Sequence, residues 1–177
     1  MQLWTILPRR RPIAAIIQIN PPAMTIIRHA EFPADTAAVV AIWREFVANS
    51  PIDLSYQGND AEFAQLPGKY ARPAGCILIA EGDGGLDGCV ALRRVTTEIC
   101  EMKRLYVRPH VRGGSLGRAL AERSIAEARE AGYREVRLDV HGKFLAARNL
   151  YAALGFVPAD PVSFNPVPGA SFLGLVL

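Results

Sequence analysis

The chain has few cysteines and histidines, and it lacks the spacings in which these residues form disulfides or hold metals. Its three cysteines, Cys76, Cys89 and Cys100, include no C-x-x-C pair, so neither a disulfide framework nor a zinc site is predicted. The three histidines are far apart in the sequence and show no ligand spacing. We therefore predict no bound metal, and a protein of the reducing cytoplasm.

An excess of charge of one sign is also missing from the body of the chain. Residues 1–23 contain three arginines and no acid, which accounts for the whole formal charge of +3, because the other 17 basic side chains are matched by 17 acidic ones. Nucleic-acid binding normally needs a concentrated basic surface. We therefore predict no nucleic-acid partner.

Long apolar runs are absent as well. The apolar piece at residues 13–19 is far shorter than the ~20 residues that span a bilayer, and a secretory signal would need a longer run with a small-residue cleavage site. No membrane partner is predicted. Residues 1–23 are interpreted as a loose extension, or as sequence upstream of a true start at Met24, where "MTIIRHA" begins on a strand.

The rest of the sequence indicates one domain, residues 24–177. Half of all residues are apolar and 21% are charged, which is typical of a soluble globular chain. Hydrophobic periodicity predicts β, helices, βββ, α, β, α, β, a mixed and mostly antiparallel sheet flanked by helices. The predicted strands are 25–28, 76–80, 88–95, 98–107, 135–141 and 171–177; the helices are 34–48, 60–66, 116–131 and 145–154, with a glycine-rich hairpin turn at 81–88.

One glycine-rich stretch, "VRGGSLGRAL" at residues 111–120, joins a predicted strand to a predicted helix. The first N–H groups of a helix have no partners within it and favour an anion such as a phosphate, which glycines allow to approach closely. A glycine-rich structural turn would look the same. The stretch matches neither the G-x-x-x-x-G-K-S/T nor the G-x-G-x-x-G phosphate loop.

Two segments together carry a resemblance to a known family: "EMKRLYVRPHVRGGSLGRALAERSIAEAREAGYREVRLDV" and "ARNLYAALGF". In this order they resemble the GNAT superfamily of N-acetyltransferases, whose loop has Gln or Arg, two residues, Gly, one residue, and Gly or Ala. Arg112, Ser115 and Gly117 match those positions, with Ser115 in place of the usual glycine. The resemblance extends over residues 24–177 and implies splayed central strands and acetyl-CoA as cosubstrate.

The resemblance also implies where acetyl-CoA binds. Its pyrophosphate is expected on the loop, its pantetheine arm beside the strand that leads there, and a further contact on the last helix. The expected residues are Leu105, Tyr106, Val107, Arg112, Gly113, Gly114, Ser115, Leu116, Gly117, Arg118 and Asn149. Disturbed strand alternation at Lys103 and Arg104 indicates a β-bulge, which breaks strand pairing near active sites; an ordinary exposed edge would carry the same charges.

Catalytic roles follow from the same resemblance. Tyr151 matches the tyrosine that protonates the departing sulfur, and Glu101 lies where several members place the base that deprotonates the amine. The structural alternative for Tyr151 is an aromatic residue packed in the core, and for Glu101 it is a solvated strand charge or an ion pair. Glu98, Asp139 and His141 are reserve candidates for the base.

The expected reaction moves an acetyl group from acetyl-CoA to a primary amine of a small molecule or peptide by direct attack. The segments at 49–73, with Tyr56, Gln57 and Asp60, and at 164–172 are expected to select the acceptor. A non-catalytic acyl-CoA-binding or sensing module with the same fold is the alternative, and a homodimer is possible.

Overall fold

The computed structural model of the protein describes residues 25–177; the extension predicted at residues 1–23 lies outside the described residues. Within the described part of the chain, seven strands form one sheet in the order β1-β2-β3-β4-β5-β7-β6, and only β4 and β5 are parallel neighbours. The predicted mixed, mostly antiparallel sheet is confirmed. The strands are β1 Ile26–His29, β2 Cys76–Gly82, β3 Gly85–Arg94, β4 Ile99–Val107, β5 Glu135–His141, β6 Val157–Pro158 and β7 Ala170–Val176.

Four α-helices cover the two faces of the sheet: α1 Thr36–Ala48, α2 Asn59–Ala64, α3 Leu116–Glu130 and α4 Leu145–Ala153. In α1, Val39, Ile42 and Trp43 follow helical spacing and are all buried in one core cluster. The other face of the sheet packs against α3 and α4 in a second cluster. None of the helices within residues 25–177 combines the length and low polarity needed to cross a bilayer.

Glycines end both helices of the second layer as their positions predict. Gly132 and Gly155 have φ values of +85° and +89° directly after the C-caps of α3 and α4, a conformation that side chains with a Cβ rarely adopt. The predicted hairpin turn at 81–88 is too long, because β2 continues to Gly82 and β3 starts at Gly85. Strand β6, only two residues long, is too short to give a periodic signal and was not predicted.

The centre of the sheet opens between β4 and β5. These strands pair only at residues 99–101 with 135–137, so among residues 25–177 β4 has no strand neighbour on that side from Met102 onward. The predicted bulge is present: Arg104 and Leu105 both lie opposite Val90 of β3, and Arg104 has a φ of +58°. The sheet therefore splays immediately before the glycine-rich loop.

Candidate active site

The gap between β4 and β5 is a cleft of about 90 Å³ that is open to solvent. We call it the interstrand cleft. Its walls come from the bulge of β4, the end of β5, α4, and the segment between α1 and α2. The lining residues are Phe46, Ile52, Leu54, Tyr56, Gln57, Met102, Lys103, Arg104, Leu105, Asp139, Val140, His141, Phe144, Ala147, Tyr151 and Asn165.

Arg104 is held on the α1 side of the sheet despite its strained backbone. Its guanidinium lies 5.3 Å from the ring centre of Trp43 and 5.4 Å from that of Phe63, and it donates to Asn59 Oδ1 at 2.7 Å and Glu62 Oε1 at 3.0 Å. Cation–π contacts and a buried ion pair together stabilise this arrangement. The bulge is thus fixed by helices that lie far from it in sequence.

Glu101, the predicted base, is fully buried. Its Oε2 accepts from Arg93 Nε at 2.6 Å, its Oε1 accepts from Ser163 Oγ at 2.9 Å, and Lys103 Nζ lies 3.5 Å from Oε1. Both carboxylate oxygens are therefore occupied by protein groups. Glu101 does not line the interstrand cleft.

The three reserve candidates occupy different environments. Glu98 is exposed, beside Arg134, away from the cleft. His141 lines the cleft, but its Nε2 lies 2.9 Å from Pro168 O and its Nδ1 accepts from the Lys143 N–H at 3.1 Å, so both ring nitrogens are engaged. Asp139 also lines the cleft, and only its Oδ2 is bonded, by Asn165 Nδ2 at 2.6 Å. Of the three, Asp139 alone combines a place in the cleft with a carboxylate oxygen that accepts no hydrogen bond within residues 25–177.

Tyr151, the predicted acid, lies on α4 and is 7% exposed, with its ring 5.5 Å from that of Phe156. Its hydroxyl makes no hydrogen bond with any residue in 25–177. Burial, reinforced by the negative charge of Asp139, raises the pKa of Tyr151 above the ordinary value of 10.0. The phenol therefore keeps its proton at neutral pH and is free to donate it within the cleft.

The glycine-rich loop places unpaired amides at the start of α3. The first helical hydrogen bond of α3 runs from the Ala119 N–H to Ser115 O at 2.9 Å. The N–H groups of residues 113–118 have no acceptor within residues 25–177. Aligned N–H groups and the positive end of the helix dipole attract anions. The loop therefore fits a diphosphate.

The serine in the loop does not strain it. Ser115 has a φ of −85°, which any residue adopts, whereas the left-handed conformation falls on Gly113 with a φ of +88°. The Ser115 side chain makes no capping hydrogen bond. Replacement of the usual glycine at this position therefore requires no change in the backbone.

The remaining residues expected at the cosubstrate are spread along β4, the loop and α4. Leu105 lines the cleft. The ring of Tyr106 points toward α1, where its hydroxyl donates to Glu45 Oε1 at 3.0 Å. Only the backbone of Tyr106 therefore lies near the gap between β4 and β5. Arg112 Nε donates to Val107 O at 2.8 Å. Asn149 is exposed on α4 and does not line the cleft.

Comparison with known proteins places this geometry in a family. The model of the acetyltransferase (GNAT) family matches residues 39–156. An uncharacterized N-acetyltransferase of Schizosaccharomyces pombe is 34% identical over 156 residues, which cover 87% of this chain and 96% of the relative. The chain belongs to the GNAT family. It is an acyl-CoA-dependent N-acetyltransferase, and enzymes of this family use acetyl-CoA.

Two further matches agree with this assignment. An uncharacterized N-acetyltransferase of Dictyostelium discoideum is 29% identical, covering 72% of this chain and 88% of the relative. A Salmonella typhimurium protein described as an acetyltransferase and solved with its cofactor acetyl-CoA superposes with a TM-score of 0.62 at 25% identity, covering 86% of this chain and 93% of that chain. The GNAT fold is thus established at both the sequence and the structural level.

Sequence reasoning missed several residues of this GNAT site. Ser163, which donates to Glu101, was not predicted at all; Asn165, which donates to Asp139, lies in the segment 164–172 that was expected to select the acceptor, but it was not singled out. Of the three residues expected at the acceptor between α1 and α2, Tyr56 and Gln57 line the cleft, whereas Asp60 is exposed beside Arg44. The alternation break at Lys103 was a usable signal for the bulge, but it carried no information about the aromatic residues around Arg104.

Proposed function

We propose that the protein transfers an acetyl group from acetyl-CoA to the primary amine of a small molecule or peptide by direct attack, without a covalent enzyme intermediate. One observation carries this proposal: a protonated phenol, Tyr151, and a free carboxylate oxygen of Asp139 line the same cleft in the splayed sheet. An acid and a base are the two groups that aminolysis of a thioester requires.

The cosubstrate is proposed to bind along the gap between β4 and β5, with its diphosphate at the glycine-rich loop. Its diphosphate accepts hydrogen bonds from the free amides of Gly113, Gly114, Ser115, Leu116, Gly117 and Arg118, with Arg112 beside the loop. Its pantetheine arm lies against the unpaired edge of β4 at Leu105, Tyr106 and Val107, and Asn149 contacts it from α4. The unpaired amides and the absence of a strand neighbour along this edge support the assignment.

The chemical step needs a neutral amine in line with the thioester carbonyl. The amine nitrogen forms a bond to the carbonyl carbon, the C–S bond breaks, and the sulfur leaves as a thiolate. Tyr151 donates its proton to that sulfur, and the proton lost by the amine passes to the base.

We propose Asp139 as the base, although the sequence prediction favours Glu101. The Asp139 carboxylate lies in the cleft with Oδ1 free, whereas Glu101 is sealed from the cleft by Arg93 and Ser163. Glu101 is then the anchor that holds Arg93 and Lys103 beside the cleft. The two assignments predict different effects of single substitutions at Asp139 and Glu101.

The acceptor is proposed to enter between the segment after α1 and the segment before β7. Ile52, Leu54 and Tyr56 supply one wall of the cleft, and Asn165 supplies the other. Both segments are loops that connect elements of the sheet and its helices. Loops on a rigid scaffold commonly carry the residues that select the substrate. The cleft is open to solvent, which gives a small molecule or the end of a peptide a route into it.

The test is release of free thiol from acetyl-CoA across a panel of amines, with titration calorimetry of acetyl-CoA as a parallel measurement. The proposal predicts binding of acetyl-CoA and amine-dependent thiol release. Binding without thiol release for any amine would favour the non-catalytic acyl-CoA-binding module instead. Absence of any heat with acetyl-CoA or free CoA would overturn both assignments.

We also propose a cytoplasmic location. Cys76, Cys89 and Cys100 are all buried free thiols, and burial raises the pKa of each to about 12. Cys76 and Cys100 belong to the same core cluster, where they pack as small apolar residues. Free thiols in the core are compatible with a reducing compartment, which a fractionation experiment on the native host would test directly.

A further inference from the structure

Lys103 and Asp139 face each other across the interstrand cleft without forming a direct hydrogen bond. Lys103 Nζ lies 4.0 Å from Asp139 Oδ1 and 3.5 Å from Glu101 Oε1, and it makes no hydrogen bond within residues 25–177. The Lys103 side chain is only 12% exposed. An ammonium that is mostly buried beside a cleft thus retains free donors.

The neighbouring carboxylates are unequal partners for this ammonium. Glu101 already accepts hydrogen bonds at both oxygens, from Arg93 and Ser163. Asp139 accepts only at Oδ2, from Asn165, which leaves Oδ1 without a donor. A free donor of positive charge and a free acceptor of negative charge therefore lie side by side in the cleft.

This pair is complementary to one chemical group in particular. The ammonium and carboxylate of a free α-amino acid are separated by a single carbon and have opposite charges, so they are complementary in polarity to Asp139 and Lys103, which lie 4.0 Å apart. Charge-assisted hydrogen bonds of this kind are stronger than neutral ones. Ile52, Leu54 and Phe46 give the same cleft an apolar wall for the side chain.

We infer that the acceptor is a free α-amino acid, with its carboxylate on Lys103 and its amine on Asp139. This rests on the proposed function and deepens it, because the amine is then delivered to the base that deprotonates it. Lys103 acts as a specificity-determining residue, since an acceptor without a carboxylate leaves its ammonium without a hydrogen-bonded partner. Leaving a buried polar group unpaired is what gives a site strong discrimination.

The experiment compares matched acceptors by both binding and turnover. Leucine, leucinamide and isoamylamine share one side chain and differ in the carboxylate, and further free α-amino acids with their amides extend the set. Binding is measured by calorimetry with free CoA present, and turnover by thiol release from acetyl-CoA. We expect at least one free amino acid to bind and react, with kcat/KM about tenfold or more above that of its amide.

Variants at Lys103 separate recognition from folding. Lys103→Gln is expected to bring the acid-to-amide ratio of kcat/KM close to one, whereas Lys103→Arg retains the preference because it retains the charge. Lys143→Gln is the matched control, a nearby exposed lysine whose Nζ lies 3.5 Å from Pro51 O; it should leave the ratio unchanged. The comparison of acid and amide on the unmodified protein holds even where a variant fails to fold.

The outcomes distinguish this inference from the function on which it rests. Thiol release with isoamylamine or the amides at rates equal to the free acids would overturn the inference and leave the acetyltransferase proposal intact. Selective binding of free acids without thiol release would show that the cleft recognises an amino acid, but it would overturn the proposed reaction and with it the role of that amino acid as acceptor. If no free amino acid binds or reacts, the inference is wrong.

Discussion

Arg104 stands over Trp43 with 5.3 Å between the guanidinium carbon and the ring centre, although Arg104 has a φ of +58°. A non-glycine residue in this left-handed region costs about 1–3 kcal/mol and persists only when surrounding contacts hold it there. Those contacts come from α1 and α2. The bulge that opens the interstrand cleft therefore depends on the first helical layer.

Replacement of Arg104 should reveal that dependence. Arg104→Ala removes the cation–π contacts and leaves Glu62, whose side chain is 7% exposed, without one of its cationic partners. We expect the free energy of unfolding to fall by about 3 kcal/mol, as for other broken buried pairs. Urea denaturation measures the change. Arg44→Ala, which breaks an exposed pair with Asp60, is the control and should change stability little.

Stability should also depend on pH through Glu62. Burial alone would raise the pKa of Glu62, but hydrogen bonds and charges from Lys69, Arg104 and Tyr70 outweigh it and lower the pKa below the ordinary 4.5. Because the pKa of Glu62 is lower in the folded state, its stabilisation is fully present above the pKa of the unfolded state. This stabilisation is lost as the pH falls through the pKa of the folded state. Urea denaturation from pH 7 down to about pH 3 should therefore show a steeper loss below pH 4.5 in the parent than in Glu62→Gln.

A control identifies the source of that slope. Glu122→Gln removes one exposed carboxylate that is paired with Arg118 across one helical turn, and such pairs contribute little. It should keep the slope of the parent. Equal slopes for the parent and Glu62→Gln would show that Glu62 is not the group responsible.

The loop at the start of α3 allows a test in which stability and binding move in opposite directions. Ser115→Asp places a negative charge at the positive end of the helix and should stabilise the fold by about 0.5 kcal/mol. The same charge repels a diphosphate, so the affinity for acetyl-CoA should fall about tenfold or more. Ser115→Asn is the uncharged control and should bind close to the parent. Thermal unfolding and calorimetry give the two quantities.

Tyr151→Phe tests the proposed acid. Loss of the hydroxyl should lower kcat about 100-fold, with little change in the KM for acetyl-CoA, because the proton is needed only as the thiolate leaves. Steady-state kinetics with an identified acceptor measure both. Tyr133→Phe is the matched control, a buried tyrosine outside the cleft whose hydroxyl donates to Ala74 O at 2.5 Å. Turnover by Tyr151→Phe at the parent rate would contradict the acid role.

Substitutions at Asp139 and Glu101 decide between the two candidate bases. Asp139→Asn should lower kcat/KM about 100-fold near neutral pH and recover as the pH rises, because the free amine then loses its proton in solution. Glu101→Gln should mainly lower stability, since it weakens the pairing of Arg93. The reverse pattern, an active Asp139→Asn with a folded but inactive Glu101→Gln, would establish the base that the sequence predicts.

Much of the fold was predictable from local patterns. Hydrophobic periodicity predicts the meander and the helix that carries Val39, Ile42 and Trp43. The conformations that glycine adopts predict where α3 and α4 end. The bulge at Arg104 followed from a break in alternation. The family itself followed from the order of the loop and the last helix, since these motifs are contiguous in the chain.

The active-site electrostatics were not predictable in this way. Glu101 and Asp139 are both charged residues within strands. No local sequence pattern distinguishes a carboxylate whose oxygens are both hydrogen-bonded inside the protein from one that faces the cleft. Ser163, Asn165 and Arg93 decide that difference, and they come from three separate parts of the chain. The amino-acid sequence by itself determined the elements, the loop that presents bare amides, and the position of Tyr151. Only the tertiary structure decided which charges remain free in the cleft, because that depends on contacts between residues distant in the chain.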